Sequence, residues 1–124
     1  MKINSLIFLL MFSLYSQHVV ANKNWEIQLT TKNHIGYLNK KSISFKDKKL
    51  IFSGIQIDKL LYPSALQNIK EIKNHNAKKN YCHKGEYFLK INNAVSSGCL
   101  ESESYTILNE NFDKLKYLAL LSSN

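Results

Sequence analysis

Hydrophobic and polar residues alternate along the first half of the chain in a pattern typical of β-strands. Trp25, Ile27 and Leu29 fall on one face and polar residues fall on the other, as in a strand with one buried face. The segment 42–46 alternates in the same way. Because such segments follow one another at short intervals and are joined by polar turns, the pattern predicts an antiparallel meander.

Two neighbouring segments predict strands of less regular pattern. Residues 50–57 form the most continuous β-prone run, and Gly54 within it indicates a bulge. Residues 35–38 predict a short strand that ends at the polar cluster 39–41.

Helical periodicity appears in two places. Pro63 suits the first turn of a helix that we predict from about residue 63 to residue 73. A longer helix, capped by Ser102 or Ser104, should run to about Leu120. Its apolar stripe comprises Tyr105, Leu108, Phe112, Leu115 and Ala119. The predicted fold is therefore α+β: an antiparallel meander of about four to six strands packed against the C-terminal amphipathic helix, with a second short helix near 63–73.

The only two cysteines, Cys82 and Cys99, flank a predicted hairpin. Strands over 86–91 and 94–97 would be joined by an Asn92-Asn93 turn, since Asn tolerates positive φ. If that turn has two residues, the cysteines are not directly opposed, so either the turn is longer or shifted, or Cys82 lies outside the ladder. In an exported protein the two cysteines most simply form a disulfide. We expect it to tie the incoming loop to the start of the last helix.

Residues 1–21 have the pattern of a cleavable secretory signal. Lys2 precedes an apolar run, and Val19 and Ala21 precede the predicted cleavage site. The apolar run is about half as long as a membrane-spanning helix requires, so we expect no membrane span after cleavage. The prediction is an exported bacterial protein, periplasmic or extracellular, in which residues 22–124 form a single small α+β domain.

The predicted domain is basic. Without Lys2 it keeps 16 of the 17 lysines against nine Asp and Glu residues, a formal charge of +7, and it contains no arginine. Arginine is the preferred residue for bidentate recognition of phosphates and guanine edges, so specific nucleic-acid readout is not expected. A lysine-only surface favours diffuse attraction to anionic partners, or it simply keeps the protein in solution.

Two kinds of chemistry involve the histidines. A zinc site would draw on His75, Cys82, His83 and Cys99, but their spacing matches no known ligand pattern, and we predict no metal site. A secreted ribonuclease-like hydrolase would use two of the loop histidines His34, His75 and His83 as general base and acid, with Lys84 stabilising the transition state.

No other catalytic or cofactor motif stands out, because the G-x-S-x-G, P-loop and dinucleotide-binding patterns are absent. We therefore predict a small exported binding protein without cofactor or catalytic residues, with the ribonuclease-like hydrolase as the alternative. Its partner would be another exported protein, which it inhibits or caps, or an anionic envelope polymer. The candidate binding patch comprises Lys78, Lys79, His83 and Lys84.

Overall fold

A computed structural model describes residues 23–78 and 81–123 of the chain, so the predicted signal and Lys79 lie outside the described residues. The described residues form one six-stranded antiparallel sheet and two α-helices. The elements are β1 (Trp25–Asn33), β2 (Leu38–Lys46), β3 (Lys49–Phe52), β4 (Ile55–Gln56), α1 (Tyr62–Lys73), β5 (Gly85–Ile91), β6 (Ala94–Cys99) and α2 (Glu103–Ser122), with a 3-10 turn at Lys59–Leu61 before α1. The predicted α+β fold is confirmed.

The strands are ordered β4-β3-β2-β1-β5-β6 across the sheet. The first four strands form the meander, and the chain returns through α1 so that β5 pairs with the free side of β1. One face of the sheet packs against both helices and buries alternate side chains, as its period of two requires. The core residues of β1, β2 and β5 are Ile27, Leu29, Ile43, Tyr87 and Leu89. The opposite face carries no helix among the described residues; we call it the open face.

Two-residue turns join β2 to β3 and β3 to β4. Lys46 pairs with Lys49, and Phe52 pairs with Ile55. At the second turn Ser53 has φ of 44° and Gly54 has φ of 88°, which is the left-handed backbone that tight hairpin turns need. The predicted bulge at Gly54 is therefore wrong: this glycine lies in the two-residue turn that joins β3 to β4.

The polar cluster at 39–41 does not end a strand. The prediction of a short strand over 35–38 is wrong, because β2 begins at Leu38 and continues through the cluster to Lys46. Lys41 points to the helix side, where its Nζ lies 3.2 Å from Asn109 Oδ1 and 3.6 Å from Asp113 Oδ1. The helix supplies the polar partners that allow a lysine on that side of the sheet.

Both helices begin and end close to their predicted positions. Tyr62 begins α1, and Leu61 before it makes no capping side-chain bond, because leucine has no side-chain acceptor. Ser102 caps α2, because its Oγ accepts a hydrogen bond of 3.2 Å from the N–H of Tyr105. The buried face of α2 consists of Leu108, Asn111, Phe112, Leu115, Leu118 and Ala119.

A candidate interaction surface at one end of the sheet

The turn between β1 and β2 exposes large apolar side chains on a backbone that several hydrogen bonds hold. Ile35, Tyr37 and Leu38 are 78%, 70% and 58% exposed. Asn33 Oδ1 accepts hydrogen bonds from the N–H of Ile35 at 3.2 Å and of Tyr37 at 2.8 Å. The backbone N–H of Asn33 in turn donates to the carbonyl of Tyr37 at 3.1 Å. The side chain of one asparagine therefore holds this turn in shape.

The segment before β5 packs beside this turn. His34 donates its backbone N–H to the carbonyl of Lys84 at 3.2 Å. The next residue, Gly85, has φ of +129°, and a Cβ there would lie 2.7 Å from Asn33 Cα. Only glycine allows such a close approach in this conformation. The two loops therefore form one continuous end of the molecule.

The side chain of Glu101 holds the segment 82–84 through hydrogen bonds to its backbone. Its Oε2 accepts hydrogen bonds from the backbone N–H groups of His83 at 2.6 Å and Lys84 at 3.1 Å. Desolvation alone would raise the pKa of this carboxyl, but the backbone hydrogen bonds and the charge of His83 outweigh it, so the pKa of Glu101 lies below its ordinary value. The ionised form is the one that anchors the loop.

The predicted disulfide between Cys82 and Cys99 is confirmed, with a Cα–Cα distance of 5.0 Å. Cys99 pairs with Glu86 in the hairpin, and the two-residue turn at Asn92-Asn93 sets that register. Cys82 precedes β5, so the bridge ties the incoming loop to the segment before α2, as predicted.

One Glu101 carboxylate oxygen and the two sulfur atoms lie within 4.8 Å of one another. Because both sulfur atoms are in the disulfide, they are not available as zinc thiolates.

The structure brings part of the predicted binding patch together. His83 and Lys84 are exposed and share the Glu101 carboxylate through their backbone N–H groups. Lys78 is also exposed, but no hydrogen bond or ion pair joins it to them within the described residues. Lys79 lies outside those residues.

The exposed apolar residues of this end were not identified from the sequence. Tyr81 is 82% exposed and packs its ring against that of His83, with centroids 4.9 Å apart. We call this end the tip surface; it comprises His34, Ile35, Tyr37, Leu38, Tyr81, His83 and Lys84. A sequence signal does exist, since three large apolar residues surround a glycine at 35–38 and a turn so short cannot bury them all.

The three histidines of the ribonuclease hypothesis do not meet. His75 is half-buried and its Nε2 lies 2.6 Å from the hydroxyl of the buried Tyr87. His34 is in the β1–β2 turn, and the ring of His83 contacts Tyr81. Among the described residues no hydrogen bond or ring contact joins two histidine side chains. The general acid and base of that mechanism are therefore not assembled by these contacts.

Five exposed lysines lie on the open face of the sheet. Its exposed lysines come from four strands: Lys32, Lys40, Lys46, Lys49 and Lys90. A shallow groove of about 340 Å³ on this face is lined by Glu26, Gln28, Lys90, Asn92 and Asn93. The lining side chains are one carboxylate, one ammonium group and three amides. It offers a polar surface and not an enclosed pocket.

Within residues 23–78 and 81–123, neither α-helix has the combination of length and apolar character that crossing a membrane requires. Comparison of the chain with protein-family models, with curated proteins and with solved structures finds no match.

Proposed function

We propose that this protein is a small exported, non-enzymatic binding protein that inhibits or caps another exported protein through the tip surface. The observation that carries this proposal is the grouping of Ile35, Tyr37, Leu38 and Tyr81, four large and exposed apolar side chains, at one end of the sheet. Large exposed apolar patches on soluble proteins mark interaction sites. Tyrosines in particular are enriched among the residues that dominate binding energy.

The backbone that presents these side chains is held in place before any partner arrives. Asn33 fixes the β1–β2 turn, Glu101 fixes the segment 82–84, and the disulfide crosslinks that segment to Cys99. A preordered surface loses less conformational entropy when it binds, so more of the contact energy appears as affinity. This ordering supports a binding role for the tip.

The charge around the tip supports an acidic partner. Lys84 and His83 belong to the tip, and Lys32 and Lys40 are exposed on the strands that lead into and out of its turn. Basic residues at the rim of an apolar patch speed association with an acidic surface and select against basic ones. Export is supported by the signal pattern of residues 1–21 and by the disulfide, since disulfides persist in oxidising compartments.

The test is affinity capture with a tip variant. The purified, disulfide-bonded protein is immobilised and exposed to the periplasmic and secreted fractions of the source bacterium. A captured protein is then purified and its Kd is measured by titration. We expect the double substitution Tyr37→Ser and Tyr81→Ser to weaken binding by at least about 100-fold, since each side chain has the character of a hot-spot residue.

Tyr117→Ser is the matched control, because Tyr117 is 62% exposed on α2 and is not part of the tip. It should leave the Kd unchanged. Equal binding by the native protein and the Tyr37, Tyr81 variant would refute the tip as the binding site.

A second candidate partner is an anionic envelope polymer, which the lysines of the open face favour. Such binding depends on diffuse charge and weakens steeply as salt is added. Retention of the protein on purified lipopolysaccharide or cell-wall polymer that disappears by about 0.3 M salt, with no loss in the tip variant, would favour this candidate. Retention that depends on Tyr37 and Tyr81 would favour the protein partner.

A further inference from the structure

Strand β6 is an edge of the sheet, and on the outer side of residues 94–97 no further strand is paired within the described residues. Its sequence, AVSSGC, contains no charged residue and no proline. Natural proteins usually protect an edge strand with charge, proline, a bulge or very short length. The opposite edge follows that rule, because β4 has only two residues. Its first three residues, Ala94, Val95 and Ser96, are exposed, Ser97 is half-buried, and Gly98 and Cys99 are buried. In a chain so rich in lysine, an exposed edge segment without a charge is unusual.

The alternation of hydrogen-bonded and non-hydrogen-bonded pairs in the β5–β6 hairpin shows which backbone groups of β6 face away from β5. Leu100 donates its N–H to the carbonyl of Gly85. Since bonded and non-bonded pairs alternate in an antiparallel ladder, Gly98 and Ser96 also point their backbone groups toward β5. Val95 and Ser97 therefore point their N–H and C=O groups away from the sheet.

We infer that β6 pairs with β6 of a second copy of this chain in an antiparallel two-fold dimer. A two-fold axis at Ser96 sets Val95 opposite the partner copy's Ser97, and Ser97 opposite the partner copy's Val95. Both pairs then consist of outward-facing groups, so each exchanges two backbone hydrogen bonds. The register between β5 and β6 stays as it is, and the two sheets become one continuous sheet of twelve strands.

Side chains near this axis permit the approach. On the helix side, the β6 residues are Ala94, Ser96 and Gly98, all of them small. On the open face, Lys90 neighbours Val95 and Phe88 neighbours Ser97. Pairing therefore sets each Lys90 in the same row as the other copy's Phe88, and the two lysines do not meet.

The pairing is short and the net charge opposes it, so the dimer should be weak and should strengthen with salt. Six residues with small side chains bury less area than a standard interface. Each copy carries a positive formal charge, and added salt screens the repulsion between copies. This salt dependence is the reverse of that expected for binding to an anionic polymer.

The experiment is sedimentation of the purified protein from about 10 µM to about 1 mM, at low and at 0.5 M salt. We expect a monomer–dimer equilibrium whose dimer fraction rises with salt. Val95→Lys should weaken dimerisation at least tenfold, while Val95→Thr, which keeps a β-branched and uncharged side chain, should preserve it. Ser97→Pro removes an outward N–H without breaking the β5–β6 ladder, and it should act like Val95→Lys.

Amide exchange measured at both ends of the concentration range tests the register. Dimerisation should slow exchange at Val95 and Ser97, and leave Ser96 unchanged because its N–H already faces β5. A protein that stays monomeric at the highest concentration and salt would overturn the inference and leave the edge to another occupant. A dimer that Val95→Lys does not weaken would overturn it too.

Discussion

The Nε2 atom of His75 lies 2.6 Å from the hydroxyl oxygen of Tyr87, and this bond connects the end of α1 to the centre of β5. Tyr87 is fully buried, and its ring stacks on Tyr105 of α2 with centroids 5.3 Å apart. One tyrosine therefore contacts the residues that follow α1 and the first turn of α2. Its hydroxyl needs a polar partner at that depth, and His75 supplies one.

The His75–Tyr87 pair predicts a loss of stability in mild acid. Burial lowers the pKa of His75 below the ordinary histidine value of 6.5, because the charged imidazolium is poorly solvated there. The unfolded chain binds the proton more readily, so the contribution of His75 to stability is complete above pH 6.5 and is lost as pH falls toward the lower folded pKa. The measurement is the urea midpoint between pH 7.5 and pH 5.

His75→Gln removes this titration while keeping a polar side chain beside the Tyr87 hydroxyl. The variant should be less stable than the native protein at pH 7.5, and its midpoint should change less between pH 7.5 and pH 5. His34→Gln is the control, because His34 is an exposed turn residue. A pH dependence that is the same in the native protein and in His75→Gln would contradict the prediction.

Gly98 is predicted to be intolerant of any side chain. A Cβ at this position would lie 2.6 Å from both Cε1 and the hydroxyl oxygen of Tyr87. The ring cannot move aside easily, because Tyr105 and His75 contact it from other directions. We expect Gly98→Ala to lower the free energy of unfolding by about 1–3 kcal/mol, as overpacking in cores does.

The matched control for Gly98→Ala is Ser96→Ala, two residues earlier on the same side of β6. Ser96 is exposed, and its substitution should change the free energy of unfolding by less than about 0.5 kcal/mol. Equal stabilities for the two variants in urea titrations would show that Tyr87 does not restrict position 98.

The core could be predicted from the sequence because it depends on local periodicity, and the disulfide because the chain has only two cysteines. Apolar residues at spacing two and at helical spacing identify the buried faces, and the two-residue turn at Asn92-Asn93 fixes which residues oppose each other. Counting from that turn shows that Cys82 and Cys99 are not directly opposed, so either the turn is longer or shifted, or Cys82 lies outside the ladder. The structure agrees, since Cys99 pairs with Glu86.

The wrong interpretation of Lys41 and the failure to identify the tip surface concern residues whose partners are distant in sequence. Lys41 looked like part of a turn, because nothing nearby shows that Asn109 and Asp113 of α2 will accept its charge. Likewise, the tip surface forms only when the β1–β2 turn meets the segment before β5, through the hydrogen bond from His34 to Lys84. Tertiary contacts of this kind leave no periodic signal.

Removing the disulfide should cost a large part of the stability of this small domain. The joint substitution Cys82→Ser and Cys99→Ser frees the loop between them in the unfolded chain. On the chain-entropy estimate this lowers the free energy of unfolding by about 3 kcal/mol. Urea titrations of the variant and of the native protein, with and without reductant, give the measurement.

Reductant should shift the native urea midpoint down to that of the double variant and leave the variant unchanged. A native midpoint that does not respond to reductant, in a sample whose thiols become accessible to alkylation, would contradict the stabilising role of the bridge.

Glu101 should control the order of the segment 82–84. Its carboxylate accepts backbone hydrogen bonds from His83 and Lys84, and bonds to an ionised acceptor are stronger than neutral ones. Glu101→Gln keeps the shape but loses the charge, so we expect several-fold faster amide exchange at His83 and Lys84. Acidification should have the same effect on the native protein. The pKa of Glu101 in the folded protein is lowered from 4.5. The carboxylate therefore anchors the segment 82–84 fully above pH 4.5, and this anchoring is lost as pH falls through the folded pKa.

Glu103→Gln is the control for that experiment, because Glu103 is exposed in the first turn of α2 and accepts neither of these bonds. It should leave exchange at His83 and Lys84 unchanged. The same variants test whether the ordered backbone of the tip contributes to affinity. If a captured partner binds more weakly to Glu101→Gln, in which Tyr37 and Tyr81 are intact, then the fixed backbone contributes to affinity, as preorganisation requires. Unchanged exchange and unchanged affinity in Glu101→Gln would mean that the disulfide and the His34–Lys84 hydrogen bond are enough to hold the loop.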